Sequence, residues 1–152
     1  TTLIGQNLGA KEYDRTKKGA LFGTICGIGI AEVIGIAVFF FSPYLIAAFG
    51  GDQKAIEYGI AEAHTIALFY CLLAFSHCMA AIQRGAGRSI VPMFVMMLVW
   101  CGVRVTYISI VIRIIPMINV IYWAYPLTWF ISSVIFLILF LKTDWIHGLE
   151  KQ

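Results

Sequence analysis

Polar and apolar residues come in blocks along this chain and are seldom interleaved. Residues 5–18 read GQNLGAKEYDRTKK, with charge at Lys11, Glu12, Asp14, Arg15, Lys17 and Lys18. The chain then turns apolar in four long runs, 19–41, 58–82, 90–115 and 122–141. A spanning helix needs about 20 mostly apolar residues, and each run is long enough. Ser42-Pro43 is expected to end the first run, Gln83-Arg84-Gly85 the second, Pro116 the third and Lys142-Thr143-Asp144 the fourth. The runs do not alternate apolar with polar, so the strands of a membrane barrel are excluded. The pattern predicts an all-α integral membrane fold with four transmembrane helices.

The connections carry their own signals. After Pro43 the stretch YLIAAFGGD groups Tyr44, Leu45, Ile46 and Phe49, which suits a short segment lying at the membrane surface. Gly50-Gly51 breaks it, and Asp52 is placed to cap the next helix with its carboxylate. The RGAGRS turn, residues 84–89, reverses the chain, with Ser89 placed to cap the third span. Pro92 falls in that span's first turn, where a missing N–H costs little. Pro126 either kinks the fourth span or marks its start.

Composition agrees with the pattern. The chain has 152 residues, 61% hydrophobic and 12% charged. Soluble domains carry about 25% charge, so this chain cannot coat a soluble surface. The net charge of +3 carries no message about nucleic acid, because basic residues flanking spans produce it. Lys11, Arg15, Lys17, Lys18, Arg84, Arg88, Lys142 and Lys151 fall on one side of the predicted topology; Lys54 and Arg113 fall on the other. The positive-inside bias places the N-terminal segment, the RGAGRS turn and the 142–152 tail in the cytoplasm. Cys26, Cys71, Cys78 and Cys101 stand inside apolar runs without metal-ligand spacing, and read as buried free thiols. No metal or cofactor is called for, and no secretory signal pattern opens the chain.

Within the spans, a few residues stand out against the apolar background. Gly19, Gly23, Gly27, Ala31 and Gly35 recur every fourth position, a stripe that admits a close neighbour either as static packing or as a sliding seam. Glu32 and Arg104 are ionisable groups within spans, which are costly unless paired or facing a cavity. Glu32 lies 13 residues past Gly19 and Arg104 lies 13 past Val91, each about 20 Å along its helix. Equal depth permits an ion pair, proton or substrate coupling, or reach to the interface. The second span adds Glu62, His64, Tyr70, Ser76 and His77. The histidines read as satisfied donors or as proton-coupled groups. Ser132 and Ser133 either line a cavity or bond to their own helix backbone. Tyr44, Tyr58, Tyr122, Trp123, Tyr125 and Trp145 near span ends read as an interfacial belt. Motifs for phosphate binding, zinc peptidases and serine hydrolases are absent.

Two stretches carry a resemblance. GQNLGAKEYDRTKKG, with Gly5, Gln6, Gly9 and Ala10, resembles the GQ-x-x-GA segment of the MATE (multidrug and toxic compound extrusion) transporters. LLAFSHCMAAIQRGAGRSIVP, with Arg84, Gly85 and Gly87, resembles their tenth helix and the RGAG turn that follows. The order of motif, helix, loop, helix, turn and two more helices also matches. The resemblance implies the last four helices of a twelve-helix, two-lobed exporter, with residues 1–18 closing a preceding helix. On that expectation the chain is an incomplete part of a cation-coupled antiporter. It exchanges sodium or protons for cationic or amphipathic drugs by alternating access. Its partners are a drug-like small molecule, membrane lipid and the missing N-terminal lobe, with no nucleic acid. Family members of the NorM type carry an acid in the middle of the tenth helix, where this chain has Leu73. Coupling then either uses another residue, such as Glu32 or His77, or relies on the missing N-terminal lobe. The polar residues within the spans that are candidates for substrate or ion coupling are Glu32, Arg104, His77, Ser76, Tyr70, Glu62 and His64. A lipid-linked-oligosaccharide flippase of the same superfamily is the alternative in transport. An intramembrane enzyme would need Glu32, His77 and Arg104 to converge, and a self-contained four-helix assembly subunit is a further alternative.

Overall fold

The structure is a computed structural model that describes residues 1–146. The predicted tail therefore reaches only partly into view, and Lys151 lies outside the described residues. Every regular element among the described residues is a helix. In order they are α1 (Thr2–Gly9), α2 (Tyr13–Ala48), α3 (Gln53–Ala67), α4 (Tyr70–Gly85), α5 (Ile90–Met96), a π-helical segment (Met97–Val103), α6 (Arg104–Ile114) and α7 (Asn119–Lys142).

Three helical stretches are long and apolar enough to cross a membrane: α2, the continuous helix Ile90–Ile114, and α7. A fourth joins them if α3 and α4, bent by 58° at their junction, form one span. The stretch expected as the second span is two helices interrupted at Leu68-Phe69, the geometry of a broken span or of a re-entrant loop. The expected third span is continuous but swollen by its π turn.

At 36 residues α2 is about 54 Å long, well beyond the ~30 Å of bilayer hydrocarbon. It passes through the expected stop at Ser42-Pro43 and absorbs the segment expected to lie on the membrane surface. Pro43 has no N–H for the Phe39 carbonyl, four residues back. The Ser42 hydroxyl donates to that carbonyl instead, at 3.2 Å. A residue that looked like part of the stop is what lets the helix continue. Gly50 and Gly51, at φ 71° and 137°, then end the run. Asp52 and Ser89 do stand at the N-termini of α3 and α5, but neither side chain makes a capping hydrogen bond.

One buried cluster joins α1, α2, α4 and the C-terminal half of α7 with the residues just past it. Ile4, Leu8, Ala20, Met79, Ile82, Phe136 and Trp145 belong to it. Elsewhere, α2 packs on α1, α3 and α4, while α6 and the π segment pack on α7. The expected aromatic belt divides. Tyr44, Tyr58 and Trp123 are exposed, whereas Tyr122 and Trp145 are buried in the protein. Trp145 stacks on Phe140 with ring centroids 5.0 Å apart.

Candidate functional site

The break between α3 and α4 is where the chemistry gathers. In an unbroken helix the Cys71 N–H would donate to the Ala67 carbonyl, four residues back. Here it donates to Glu32 Oε2 of α2, at 3.2 Å. A carboxylate from a neighbouring helix thereby serves as the N-terminal cap of α4, whose own N-terminal residue Phe69 makes no side-chain cap. One turn along α2, Gly35 makes the approach possible. A Cβ there would run into the Ala67 carbonyl oxygen and come within 3.3 Å of the Tyr70 ring. Glu32 and Gly35 act as a pair: the glycine admits the broken helix and the acid satisfies it. No glycine or proline stands at Leu68-Phe69, so the break owes nothing to a local breaker residue.

The small-residue stripe of α2 is a packing face with gaps. Gly19 lies against Leu3, and Gly27 lies 2.9 Å from Cys78 Sγ when measured from a built Cβ. Gly23 has nothing near it. All four cysteines are free thiols, but none is fully buried as expected: Cys26, Cys71 and Cys78 are half-buried and Cys101 is exposed.

The other sequence candidates divide into separate places. Ser76 is buried between α4 and α7, 2.9 Å from Ser132 Oγ and 3.0 Å from Ser133 Oγ. Ser132 also reaches the Trp129 carbonyl of its own helix, and Ser133 reaches the Leu72 carbonyl across the interface. Three hydroxyl protons serve these four contacts, so the cluster always has one contact without a proton. Tyr70 and His77 line a groove with Ala31, Ile34, Leu73 and Ala74. His77 is exposed and sets its ring edge-on to Trp100, at 5.2 Å. His64 stacks on Phe39 at 4.3 Å, and Glu62 is half-buried on α3.

Arg104 is not paired with Glu32. Its Nη2 donates to Thr128 Oγ1 at 2.8 Å, and its guanidinium lies over the Tyr125 ring at 4.3 Å and the Trp100 ring at 5.9 Å. Thr128 is free to accept because its own proton goes to the Ala124 and Tyr125 carbonyls. Equal depth on two helices did not bring the charges together, because α2 and α6 pack on different neighbours. The convergence of Glu32, His77 and Arg104 that an intramembrane enzyme would need is likewise not built: Glu32 is held at the break, and Trp100 stands between His77 and Arg104. Sequence reasoning passed over Trp100 and Thr128, took Tyr125 for a belt residue, and missed Cys71. Aromatic residues one turn from an intramembrane arginine are a signal that was available; a backbone N–H is not.

The two motifs meet although 80 residues separate Gly5 from Gly85. Gly5 faces the Gly85 carbonyl, and a Cβ on Gly85 would stand 2.7 Å from both Ile4 Cβ and the Thr1 carbonyl oxygen. Both stretches end in the same kind of turn. At α1, Glu12 N–H bonds to Asn7 and Lys11 N–H to Leu8; at α4, Arg88 N–H bonds to Gln83 and Gly87 N–H to Arg84. This is the six-to-one, five-to-two pattern of a Schellman cap, which needs a left-handed residue. Gly87 fills it in α4 at φ 79°, but in α1 it is Lys11, at φ 59°, and not a glycine of the motif. Gln6 and Ala10 are exposed, and Gly9 has open space around it. The turn also holds the tail, since Arg88 Nη2 donates to the Asp144 carbonyl at 3.1 Å.

The family model MatE matches residues 1–108, more than two thirds of the chain. The chain belongs to the MatE family. It is also similar to the probable multidrug resistance protein NorM of Thermotoga maritima, with 30% identity over 95 residues. That alignment covers 62% of this chain and 20% of the relative, so the chain spans about a fifth of the protein it matches. No solved structure matches the chain significantly.

As a MatE member the chain divides unevenly. Glu32, Gly35, the α3–α4 break, both motifs, Trp100 and Arg104 fall inside the matched residues. The whole of α7 falls outside, and with it Tyr125, Thr128, Ser132 and Ser133. The apolar helices and the family together describe a multi-pass membrane protein.

Proposed function

We propose that this chain is part of a cation-coupled exporter that moves cationic or amphipathic drugs and toxic compounds out across the cytoplasmic membrane by alternating access. Family membership and the similarity to the probable multidrug resistance protein of Thermotoga maritima support the transport reading. The basic residues clustered at the motif-bearing end support placing that end in the cytoplasm. One observation carries the coupling: Glu32 is bound to the backbone of a broken helix, in a family whose NorM-type members keep an acid in the tenth helix where this chain has Leu73.

The geometry gives Glu32 a way to report its charge. As an anion it is a strong acceptor for the Cys71 N–H and it faces the positive end of the α4 dipole. A proton or sodium ion on the carboxylate weakens that acceptor. The broken helix then loses its cap from α2, and the angle between α3 and α4 is freed to change. Loading of the coupling ion is thereby converted into a bias on a bent helix, the kind of discontinuous helix on which secondary transporters build their sites.

The test uses the full-length protein in cells. Glu32→Gln keeps the shape and removes the charge. Drug efflux should fall by about tenfold or more, the scale of one lost charge-assisted hydrogen bond. Glu57→Gln, on the exposed part of α3, should leave efflux unchanged. Sodium-free medium and a collapsed pH gradient then separate the two driving ions. Wild-type efflux from Glu32→Gln at normal membrane levels overturns the coupling assignment.

A further inference from the structure

The guanidinium of Arg104 is a cation with unmet donors. It lies in the helix Ile90–Ile114, which is apolar enough to cross a membrane. Of its five N–H donors, Thr128 takes one. Its Nε–H is enclosed without an acceptor, and so is the neighbouring Trp100 Nε1–H. The Tyr125 and Trp100 rings offer their faces to the charge but accept only weakly. Among the described residues no carboxylate reaches it, and Glu32, at the same depth by sequence, is committed to Cys71. The π turn Met97–Val103 ends where Arg104 begins, and such turns re-aim side chains at functional positions.

We propose that Arg104, framed by Trp100, Tyr125 and Thr128, is a receptor for one oxyanion supplied from outside residues 1–146. An unpaired charge at membrane depth is costly, and an oxyanion satisfies both the charge and the orphan donors. A planar guanidinium takes a carboxylate or phosphate oxygen pair in fork geometry, which no neutral partner here provides. The source is either an acidic side chain elsewhere in the full-length protein or the acid group of a small molecule or lipid. The inference stands on the membrane-crossing helices alone and survives if Glu32 has no coupling role.

The test is thermal unfolding of the full-length protein in detergent, with and without 1-naphthoate and hexyl phosphate as probes. If the oxyanion is free or lipid-borne, a probe should raise the midpoint of wild type and Arg104→Lys. Its affinity should fall at least tenfold in Arg104→Gln and severalfold in Trp100→Phe, which removes an orphan donor without touching the charge. If the oxyanion is built in, neither probe acts, Arg104→Gln lowers the midpoint, and one acidic residue outside this stretch shows a non-additive double mutant with it. Should Arg104→Gln fail to fold, the Lys and Trp100→Phe variants still read out the probe, and charge reversal at Arg104 is rescued by a basic residue at the partner acid. Absence of any probe response together with absence of any coupled acid overturns the proposal.

Discussion

Glu32 and Arg104 pose the same physical problem, a charge at membrane depth, and the molecule treats them differently. Around Glu32 a neighbouring helix breaks and hands over a backbone N–H that would otherwise be consumed by the helix itself. Around Arg104 the helix widens into a π turn but does not break, and the cation is left with a hydroxyl and two ring faces. The contrast follows from donor and acceptor supply. A broken helix frees an N–H and a C=O together, and a carboxylate can use the first at once. A guanidinium needs several acceptors in one plane, which a swollen but intact helix does not release. The acid is therefore completed inside this stretch and the base is not.

The contrast can be broken most severely at Gly35. Gly35→Val places carbon against the Ala67 carbonyl and the Tyr70 ring, a backbone clash that a side-chain rotation cannot relieve. Overpacking of this kind should cost about 3 kcal/mol or prevent stable insertion. Gly23→Val, one stripe position with open surroundings, should change the unfolding midpoint little. A tolerated Gly35→Val would mean that the close approach at the break is dispensable. A smaller effect is expected on the other side. Thr128→Val keeps the volume and removes the hydroxyl that accepts from Arg104. The loss should be about 1.5–3 kcal/mol, as for hydrogen bonds to charged groups. The smallest effect sharpens the comparison itself. Glu32→Gln and Arg104→Gln share no partner, so their stability effects should add to within about 0.5 kcal/mol. Rescue of one by the other, or by exchanging the two residues, would restore the ion pair that the structure denies.

Much of the architecture was legible because lipid imposes a simple rule. Apolar runs of sufficient length, punctuated by basic turns, announced the spanning helices, and GQNLGA and RGAG announced the family. The errors share one cause. Pro43 looked like a stop because its missing N–H was counted and the Ser42 hydroxyl that replaces it was not. Leu68-Phe69 looked helical because nothing there is a breaker. Tyr122 and Trp145 looked interfacial, yet both are covered by protein.

By itself the sequence determined which segments are long and apolar enough to enter a membrane, which end carries the positive charge, and which residues stand out as polar within those segments. Those properties follow from the transfer of side chains one at a time into an apolar medium, and that sum is local. Only the tertiary structure decided who serves whom: that Glu32 caps α4, that Gly5 touches Gly85, that three serines share too few protons, and that Arg104 is held by α7 without an anion. Hydrogen-bond satisfaction is a property of neighbours in space. In this fold the deciding neighbours are 39, 80, 56 and 24 residues apart, beyond anything that spacing along the chain can express.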